Sequence, residues 1–549
     1  MPTLHWLTRE QDLKAAANAE YRLLAEEETY NCGDLDSGNI IVQGDNLEAL
    51  KALLPFYAGQ VKCIYIDPPY NTGSAFEHYD DNMEHTTWLS MMYPRLKLLK
   101  LFLREDGFIC CHINDDEGAY LKVIMDEIFS RANYISTIFV QVRYAEKTLK
   151  QDMTLHKQIE QIHIYRKSYN AQPNLNTTES NLDKFKFHVK EKGKGKSTIL
   201  GNKKVIIFQS NEYEILEGEG SEDGLKEIWA SGTILDGNSS GRFFRDYLTG
   251  RYETDGHGIL YKVYGIGDDK FDYRYFTGPK RQGATKGKYY QGVPLEQLES
   301  PSESKELPIE NFMDFAAEFG NCRSEGGVEF RSGKKPEVLL MKILDHFSNE
   351  GDLVMDSFLG SATTIAVAHK MRRNYIGIEM GKQAQTHCYI RLKNVINGDK
   401  TGVSEAVGWK SGGGFRFFTL GEAVSDNERR IKPDISFENL AAHIYFTETK
   451  TPMKKQENNS TFLGMQDGTA YVLLYNGILG DKNASGGNVL TRATLNRIMR
   501  DIDMAAKKKG AELEYTQMVI YGEATRLTRV SLAFNNIIFK QTPYDIKAW

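Results

Sequence analysis

With 549 residues, the chain is longer than one hydrophobic core usually organises, and about two to four domains are expected. Its net charge of -6 excludes a globally basic nucleic-acid-binding protein, so any such binding needs a local basic patch. The N-terminus is polar and no run of about 18 apolar residues occurs in the sequence, which predicts a soluble, unexported protein of the cytoplasm with no membrane partner. Six scattered cysteines without a CxxC pair predict buried reduced thiols and no metal site.

Apolar runs and helix-like segments alternate through the first 130 residues. The runs typical of buried strands are 39–45, 61–66 and 107–113, and the helix-like segments are 46–54, 88–103 and 117–129. We expect Asp115 or Asp116 to cap the last of these helices. Strands joined through helices run parallel, so this order predicts a doubly wound α/β architecture.

The sequence changes character from about residue 140, where short Gly-, Lys-, Tyr- and Asn-rich stretches show no helical period. Residues 184–204 hold eight lysines against one acid, Glu191, and two later stretches, 240–251 and 278–290, interleave basic residues with aromatic ones. Any one such run could be a solvated loop, but three in one insertion favour a surface that follows nucleic-acid phosphates. The candidate nucleic-acid contacts are Lys192, Lys194, Lys196, Arg242, Arg245, Lys280 and Arg281.

The α/β pattern resumes near residue 336. Strand-like runs at 352–356 and 374–379 alternate with helix-like segments at 361–373 and 382–396. From about residue 400, a Gly-rich stretch opens a separate α+β region in which we find no chemical constellation.

The stretch "CIYIDPPYNTG" (63–73) places an acid, two prolines and an aromatic residue directly after a strand-like run. Ligands of open parallel sheets bind beyond the carboxyl ends of strands. Pro68 and Pro69 fix the backbone in a rigid turn, which projects Asp67 and Tyr70 over the sheet edge. The Asp67 carboxylate and the Pro68 carbonyl can accept both N–H bonds of an exocyclic amino group while Tyr70 stacks on its ring. Taken alone, the tetrapeptide is also compatible with an ordinary Pro-Pro turn.

A second stretch, "DSFLGSATT" (356–364), follows a strand and opens a helix, and the next strand ends in Glu379. This layout is typical of a nucleoside-binding edge, because a Gly-containing turn lets a ligand approach and the acid accepts hydrogen bonds from ribose hydroxyls. The stretch is not GxGxxG, so it is specific only in combination with the tetrapeptide at 67–70.

The two stretches together resemble the motif pair of amino-group DNA methyltransferases that use S-adenosylmethionine. Their order, with the catalytic tetrapeptide first and the cofactor loop far downstream, is similar to the β class of that family. The stretches "VQGDNLEAL", "DPPYNTGS", "SGKKPEVLLMKIL" and "PYDIKAW" make the chain more narrowly similar to the modification subunit of type III restriction-modification systems.

The resemblance implies roles for individual residues. A target base that has left the duplex would be held by Asp67, Pro68, Pro69 and Tyr70. The residues implied in S-adenosylmethionine binding are Asp45, Lys335, Pro336, Asp356, Phe358, Gly360 and Glu379. Glu379 would bind the ribose, Asp45 would lie near the adenine, and the Lys335-Pro336 pair would lie near the methionine end. One departure is Ala362, where the family usually has a second glycine.

The resemblance also implies a fold, namely a doubly wound, Rossmann-like methyltransferase sheet with a circularly permuted motif order. The implied domains are a catalytic half (1–140), an inserted target-recognition domain (141–320), a cofactor-binding half (321–400) and a C-terminal α+β domain for dimer or partner contacts (401–549). Chains of this family are expected to pair as homodimers and to recruit an ATP-dependent helicase-nuclease subunit.

The expected function is site-specific methylation of the 6-amino group of adenine in duplex DNA. In the resembled family, Asp leads the tetrapeptide for adenine, whereas Ser commonly leads it for cytosine. Two alternatives stay open: a catalytically weak recognition subunit that positions a helicase-nuclease, and a methyltransferase that acts on RNA or on protein amides. A further group at a strand end could line a cleft, although capping of the next helix explains its acids; the group is His112, Asp115, Asp116 and Glu117.

Overall fold

The computed structural model describes residues 3–72, 83–146, 155–178, 182–230, 239–281, 283–284, 286–295, 298, 305–330, 333–424, 435–453, 460–475, 487–509 and 515–542. Parts of three motif stretches lie outside the described residues: 73–74 of "DPPYNTGS", Ser332 of "SGKKPEVLLMKIL" and 543–549 of "PYDIKAW". The chain divides into two compact units, one formed by Met1–Asn174 with Glu310–Trp549 and the other by Leu175–Ile309.

The first unit contains a central sheet of eleven strands among the described residues. From one edge to the other the order is Arg22–Glu26, Gly414–Ala423, Ile40–Gln43, Asn374–Glu379, Leu353–Asp356, Val61–Ile66, Leu103–Ile113, Ile159–Arg166, Tyr134–Gln141 and Phe312–Asp314. A further short strand, Cys32–Gly33, pairs with Gly414–Ala423. The strands from Gly414–Ala423 to Leu103–Ile113 all run parallel, so their carboxyl ends meet at one edge. Ile159–Arg166 runs antiparallel to both neighbours and therefore begins at that same edge.

Helices cover both faces of the central sheet. Successive side chains of a strand point to opposite faces, and both Phe108 and Ile109 are buried. Ile109 lies in a core shared with the helices that follow the first strands, whereas the ring of Phe108 contacts that of Phe347, 5.0 Å away between centroids. The doubly wound α/β architecture predicted from the sequence is therefore confirmed.

The α-helices described in this unit are Arg9–Asn18, Asn46–Tyr57, His85–Phe102, Asp115–Phe129, Ala316–Asn321, Glu337–Phe347, Thr363–Lys370, Tyr389–Ile396, Phe437–Thr449, Arg492–Lys509 and Arg529–Phe534. Across the described parts of the whole chain, no helix combines the length and the apolar character needed to cross a membrane.

The helix Asp115–Phe129 begins differently from the prediction. Its N-cap is Asn114, whose side-chain oxygen accepts a hydrogen bond from the Asp116 backbone N–H at 3.1 Å. The prediction that Asp115 or Asp116 caps this helix is wrong, because both residues lie inside its first turn. Their carboxylates pair instead with Lys157, at 3.0 and 2.7 Å.

The inserted unit is shorter than the expected 141–320. It begins at Leu175, because strand Ile159–Arg166 pairs within the central sheet. It ends at Ile309, because Phe312–Asp314 also pairs within that sheet. The target-recognition role assigned to this unit stays a prediction.

The second unit is built around an antiparallel sheet. Its six described strands are, in order, Lys196–Leu200, Lys203–Phe208, Leu260–Tyr264, Tyr273–Thr277, Gly287–Gln291 and Lys226–Ala230. Two smaller sheets pair Phe187–Glu191 with Tyr213–Glu217 and Asn176–Thr178 with Lys305–Leu307. Short helices Ser239–Phe243 and Tyr252–Asp255 flank the π-helix Phe244–Leu248. Phe243 and Phe244 share a buried core with Phe276 of the sheet, which holds this helical segment on the sheet face.

The C-terminal part of the first unit begins inside the central sheet. Strand Gly414–Ala423 pairs with Ile40–Gln43, so the separate domain expected from residue 401 does not start there. Beyond this strand, the region contains helices and a four-stranded sheet, whose strand order is Phe462–Gln466, Thr469–Leu473, Gln517–Gly522 and Ile537–Gln541. Two further short strands, Val489–Leu490 and Ala524–Thr525, pair with each other. This mixture agrees with the α+β character expected for the region.

Candidate active site

The tetrapeptide at 67–70 directly follows a fully buried strand. The indole N–H of Trp88 donates a hydrogen bond to the Pro69 carbonyl at 2.8 Å. Just beyond the tetrapeptide, the Asn71 amide donates to the Glu117 carboxylate at 2.6 Å. Trp88 and Glu117 are both fully buried, so they fix the turn to the protein core.

Asp67 contacts one cation and keeps one oxygen open. Its Oδ2 lies 3.0 Å from Nζ of Lys335. Its Oδ1 is buried and has no hydrogen-bond partner among the described residues. Leaving a buried acceptor without a donor costs about 1–3 kcal/mol, so this atom is suited to accept a hydrogen bond from a bound ligand.

Tyr70 is held through its hydroxyl group. The hydroxyl donates to Oε2 of Glu160 at 2.9 Å and accepts from Nζ of Lys335 at 2.8 Å. Burial, together with the negative charges of Asp67 and Glu160, raises the pKa of Tyr70 well above its ordinary value. The hydroxyl therefore stays protonated, and both hydrogen bonds hold the ring at the turn.

Glu160 completes this cluster. Its Oε2 lies 2.9 Å from Nε2 of the buried His112 and 3.6 Å from Nζ of Lys335. Burial opposes the charged form of Glu160, but Lys335 and His112 outweigh burial and hold the pKa of Glu160 well below its ordinary value. Burial also opposes the ammonium group of Lys335, but Asp67 and Glu160 raise its pKa. The cluster therefore contains an anionic Glu160 and a cationic Lys335.

No motif in the sequence indicates Glu160 as a site residue. The residue lies in the antiparallel strand Ile159–Arg166, which begins at the sheet edge where the parallel strands end. The alternating pattern "IEQIHIY" (159–165) indicates a strand. It does not indicate which sheet, or which edge, the strand joins.

The loop "DSFLG" is shaped by its first residue, Asp356. This carboxylate accepts hydrogen bonds from the Phe358 backbone N–H at 2.9 Å and from the Thr364 hydroxyl at 2.6 Å. Burial raises the pKa of Asp356 to about 7, and the charges of Asp67 and Glu379 add to the rise although both hydrogen bonds oppose it. The two predicted cofactor residues Asp356 and Phe358 are thus part of one hydrogen-bonded loop.

Glu379 ends the neighbouring strand and contacts the same loop. Its Oε2 accepts from the Gly360 backbone N–H at 2.8 Å, and its Oε1 accepts from the Gly381 backbone N–H at 3.0 Å. Each carboxylate oxygen has two lone pairs, so these bonds leave capacity to accept from hydroxyl groups of a ligand. Burial raises the pKa of Glu379 above its ordinary value of 4.5.

Ala362 adopts the left-handed backbone conformation, with φ 62°. Gly360 is also left-handed, with φ 55°. Glycine takes this conformation without strain, whereas another L-residue there costs about 1–2 kcal/mol. The backbone therefore explains why glycine is expected at this position, and the chain takes a glycine-like path here despite the methyl group of Ala362.

Asp45 lies at the same sheet edge but is already engaged. Its Oδ1 caps the following helix by accepting the backbone N–H groups of Leu47 and Glu48, at 2.9 and 3.3 Å. Its Oδ2 pairs with Arg95 at 2.7 Å. The carboxylate thus has a structural role, and its place near a cofactor adenine stays a prediction.

The structure brings most of the predicted catalytic and cofactor residues to one sheet edge. Asp67, Asp356 and Glu379 lie at the carboxyl ends of three adjacent parallel strands. Lys335 contacts Asp67, and Pro336 is the N-cap of the helix that follows. A turn suited to hold an amino group therefore lies beside an edge suited to hold a nucleoside.

The predicted DNA contacts all lie in the second unit and are exposed. Lys192, Lys194 and Lys196 lie between strand Phe187–Glu191 and the start of the next strand, and Lys192 pairs with Glu214 at 2.9 Å. The remaining four lie on the short helical segments or between two strands of the six-stranded sheet; they are Arg242, Arg245, Lys280 and Arg281. Their role in binding DNA stays a prediction.

All six cysteines lie in the described residues and are free thiols, five of them buried and Cys32 partly exposed. Within the described part of the chain, no group of three or more His, Cys, Asp or Glu side chains could hold a metal ion. His112, which was a possible cleft residue, contacts Glu160, while Glu117 supports the turn through Asn71.

Several known proteins are similar to this chain in sequence or in structure. A family model described as DNA methylase matches residues 61–389. The chain is 32% identical over 408 residues to the probable type III restriction-modification enzyme HindVI Mod subunit of Haemophilus influenzae. This match covers 70% of this chain and 54% of that protein. The chain is also 33% identical over 168 residues to the type III restriction-modification enzyme EcoPI Mod subunit of Escherichia phage P1. This second match covers 25% of this chain and 26% of that protein. The matched part of the chain thus spans about half the length of the first relative and about a quarter of the length of the second. Among solved structures, the PvuII DNA methyltransferase (cytosine-N4-specific) matches with a TM-score of 0.32 and 11% identity, over 67% of this chain and 90% of that one.

Proposed function

Because the chain belongs to the DNA methylase family, we propose that it transfers a methyl group from S-adenosylmethionine to the exocyclic 6-amino group of an adenine in duplex DNA. The observation that carries this proposal is Oδ1 of Asp67, which has no hydrogen-bond partner among the described residues and lies in a fixed turn beside an edge suited to hold a nucleoside. The adenine must leave the duplex to reach such a turn, at a cost of roughly a few kcal/mol.

The residues at this edge fit S-adenosylmethionine. When bound, this cofactor supplies an activated, electrophilic methyl group. Glu379 would accept from its ribose hydroxyls, because both carboxylate oxygens keep a lone pair. The buried Ser357 hydroxyl, which lacks a partner among the described residues, offers a further polar contact. The other proposed contacts are Asp45, Lys335, Pro336, Asp356, Phe358 and Gly360.

The turn at 67–70 would activate the amino group by holding it. Oδ1 of Asp67 and the carbonyl of Pro68 accept its two N–H bonds, which draws the nitrogen lone pair out of conjugation with the ring. Tyr70 stacks on the ring, and Pro69 keeps the acceptors rigid through its bond to Trp88. Positioning of this kind supplies most of the acceleration in a displacement reaction.

Adenine rather than cytosine is proposed as the target because Asp leads the tetrapeptide. The test incubates the purified chain with duplex DNA and isotope-labelled S-adenosylmethionine, and identifies the labelled nucleoside by mass spectrometry. We expect N6-methyladenine, and sequencing of the modified DNA would then give the recognition sequence. Labelled N4-methylcytosine would overturn the base assignment. Specific DNA binding without any methyl incorporation would overturn the activity and favour the recognition-subunit alternative.

We further propose that the chain is the modification and recognition subunit of a type III restriction-modification system. The similarity of the chain to two Mod subunits of type III restriction-modification enzymes supports this assignment. In this proposal, two copies of the chain pair in the cytoplasm and bind an ATP-dependent helicase-nuclease subunit. The exposed basic residues of the second unit would contact the DNA backbone.

A further inference from the structure

The ion network at the base-holding turn includes Glu160, a residue that none of the motif stretches contains. We propose that Glu160 is a positioning residue, which holds Lys335 on one oxygen of Asp67 so that the other oxygen stays open for the target amino group. The proposal rests on the proposed methyltransferase function and adds a residue to it.

Glu160 is anchored to the protein core behind the turn. A single oxygen, Oε2, lies 2.9 Å from Nε2 of His112. The other ring nitrogen of His112, Nδ1, lies 2.6 Å from the hydroxyl of Tyr65. His112 and Tyr65 are both buried, with exposures of 0% and 1%. The position of the Glu160 carboxylate is therefore set by the core and not by the ligand-binding edge.

From this anchor, Glu160 reaches the turn by two routes. The Tyr70 hydroxyl donates to its Oε2 at 2.9 Å. The Lys335 ammonium group lies 3.6 Å from the same oxygen and also donates to the Tyr70 hydroxyl at 2.8 Å. Among the described residues, three oxygens thus surround the Lys335 ammonium group, and one of them belongs to Asp67, at 3.0 Å.

This sharing decides which atom of Asp67 is free. A lysine between two carboxylates is attracted to both, and its ammonium group lies between them. Without the charge of Glu160, Asp67 would be its only anionic partner in the cluster. The ammonium group could then bridge both oxygens of Asp67 and block Oδ1, the acceptor that the amino group needs.

Stability alone gives a weaker account of the network. Burying ions costs desolvation energy that roughly offsets their attraction, so buried ion networks contribute little net stability. The variant Glu160→Gln leaves Lys335 paired with Asp67, so no charge is stranded. It also keeps an acceptor for the Tyr70 hydroxyl, which makes it a change of charge with little change of shape.

The first measurement is the single-turnover rate of methyl transfer by Glu160→Gln. We expect this rate to fall by between about tenfold and a hundredfold, because the amino group is misplaced in the turn. The cofactor dissociation constant should change by less than this rate, because Glu160 pairs with one proposed cofactor contact, Lys335, while the bond of Glu379 to the cofactor loop does not involve it. If Glu160→Gln does not fold, Tyr70→Phe removes the hydroxyl link while it keeps the ring, and the same loss is expected.

Asp126→Asn is a matched control. Asp126 also pairs with a lysine, Lys122 at 2.7 Å, and accepts from a tyrosine hydroxyl, that of Tyr165 at 2.7 Å. Its partner Tyr165 lies near the opposite end of the strand that carries Glu160. A loss of charge in a similar setting, but away from the turn, should leave the rate of methyl transfer unchanged. An equal fall in rate for both variants would overturn the positioning role.

A second measurement does not depend on activity. The melting temperatures of Lys335→Met, Glu160→Gln and the double variant form a cycle. We expect the double variant to lose less than the sum of the two single losses, and additive losses would overturn the network itself. Coupled losses with an unchanged rate of methyl transfer would overturn the positioning role alone. An unaltered chain that transfers no methyl group to DNA would overturn the proposed function and, with it, the positioning role, while the cycle would still report on the network.

Discussion

Asp67 and Glu379 are carboxylates at the same sheet edge, yet their surroundings suit them to different tasks. Asp67 keeps one buried oxygen that has no partner in the described part of the chain, whereas both oxygens of Glu379 accept a backbone N–H group. Asp67 is therefore ready for a donor from a base, and Glu379 both holds the loop and can accept from a ribose. Substitutions at the two residues should have separable effects.

We predict that Asp67→Ala and Tyr70→Ala each abolish or severely reduce methyl transfer while cofactor affinity stays near normal. Neither side chain is expected to touch the ribose or the methionine moiety. Methyl incorporation into DNA and calorimetry with the cofactor measure the two properties. Asp115→Ala, which removes an exposed acid in the first turn of the helix Asp115–Phe129, is the control and should behave as the unaltered protein. Normal turnover by Asp67→Ala would refute the proposed mechanism.

Glu379→Ala should have the opposite profile. The loss of a charge-assisted hydrogen bond is expected to raise the cofactor dissociation constant by an amount equivalent to roughly 1.5–3 kcal/mol. Titration calorimetry of the variant, with Asp67→Ala beside it, measures this change. A dissociation constant equal to that of the unaltered protein would remove Glu379 from the cofactor site.

Asp356 gives a prediction about pH. Burial raises its pKa to about 7 from an ordinary value of 3.8. Between these two pH values the folded state keeps a proton that the unfolded state has lost, so the contribution of Asp356 to stability falls as the pH rises. Asp356→Asn cannot ionise and should avoid this loss. Its melting temperature, relative to that of the unaltered protein, should therefore rise with pH up to about 7 and then level off. A difference that stays constant from pH 4 to pH 8 would contradict the raised pKa.

At the scale of elements, the sequence located those with a strong local signal. The strands predicted at 61–66 and 374–379 have the same bounds in the structure. Strand Ile159–Arg166 was not placed, because its position between Leu103–Ile113 and Tyr134–Gln141 depends on pairing and not on local pattern.

The same limit applies to the C-terminal strand of the central sheet and to the site. Strand Gly414–Ala423 pairs with Ile40–Gln43, although most of the chain lies between them in sequence. No local sequence signal in either strand indicates which strand it pairs with. In the site, motif spacing was enough to select Asp67 and Glu379. Glu160 could not be selected, because it reaches the same edge on an antiparallel strand outside every motif.

The connection between strands Phe187–Glu191 and Lys196–Leu200 of the second unit is basic and exposed. Neutralising Lys192, Lys194 and Lys196 together to Gln should weaken DNA binding and flatten its dependence on salt, because fewer phosphate counterions are released. Cofactor affinity should not change. Binding isotherms at several salt concentrations measure the slope. Lys400→Gln with Lys410→Gln, which removes exposed lysines of the first unit, is the control. An unchanged slope in the triple variant would identify the run as a solvated loop.

For the whole molecule, one catalytic turn per chain is enough for one base on one strand of DNA. We proposed that two chains pair, so that one could read the site while the other transfers the methyl group. The C-terminal region offers apolar surface for such a contact. Val530 and Phe534, on helix Arg529–Phe534, are 79% and 87% exposed. Large apolar side chains exposed close together are typical of surfaces that bind another protein.

We therefore predict that light scattering of the full chain gives the mass of a dimer, and that Val530→Ser with Phe534→Ser shifts it toward the monomer. The variant should lose little thermal stability, because neither side chain is buried within the chain. Leu7→Ser is the matched control, since Leu7 is 93% exposed but lies far from the C-terminal region in sequence. If one chain of the dimer reads the DNA site and the other transfers the methyl group, the dimer should methylate one strand of a short asymmetric site. The monomeric variant should then lose activity on that site. A monomeric unaltered chain that methylates both strands of a palindrome would overturn the dimer and the type III assignment, while the methyltransferase proposal would stand.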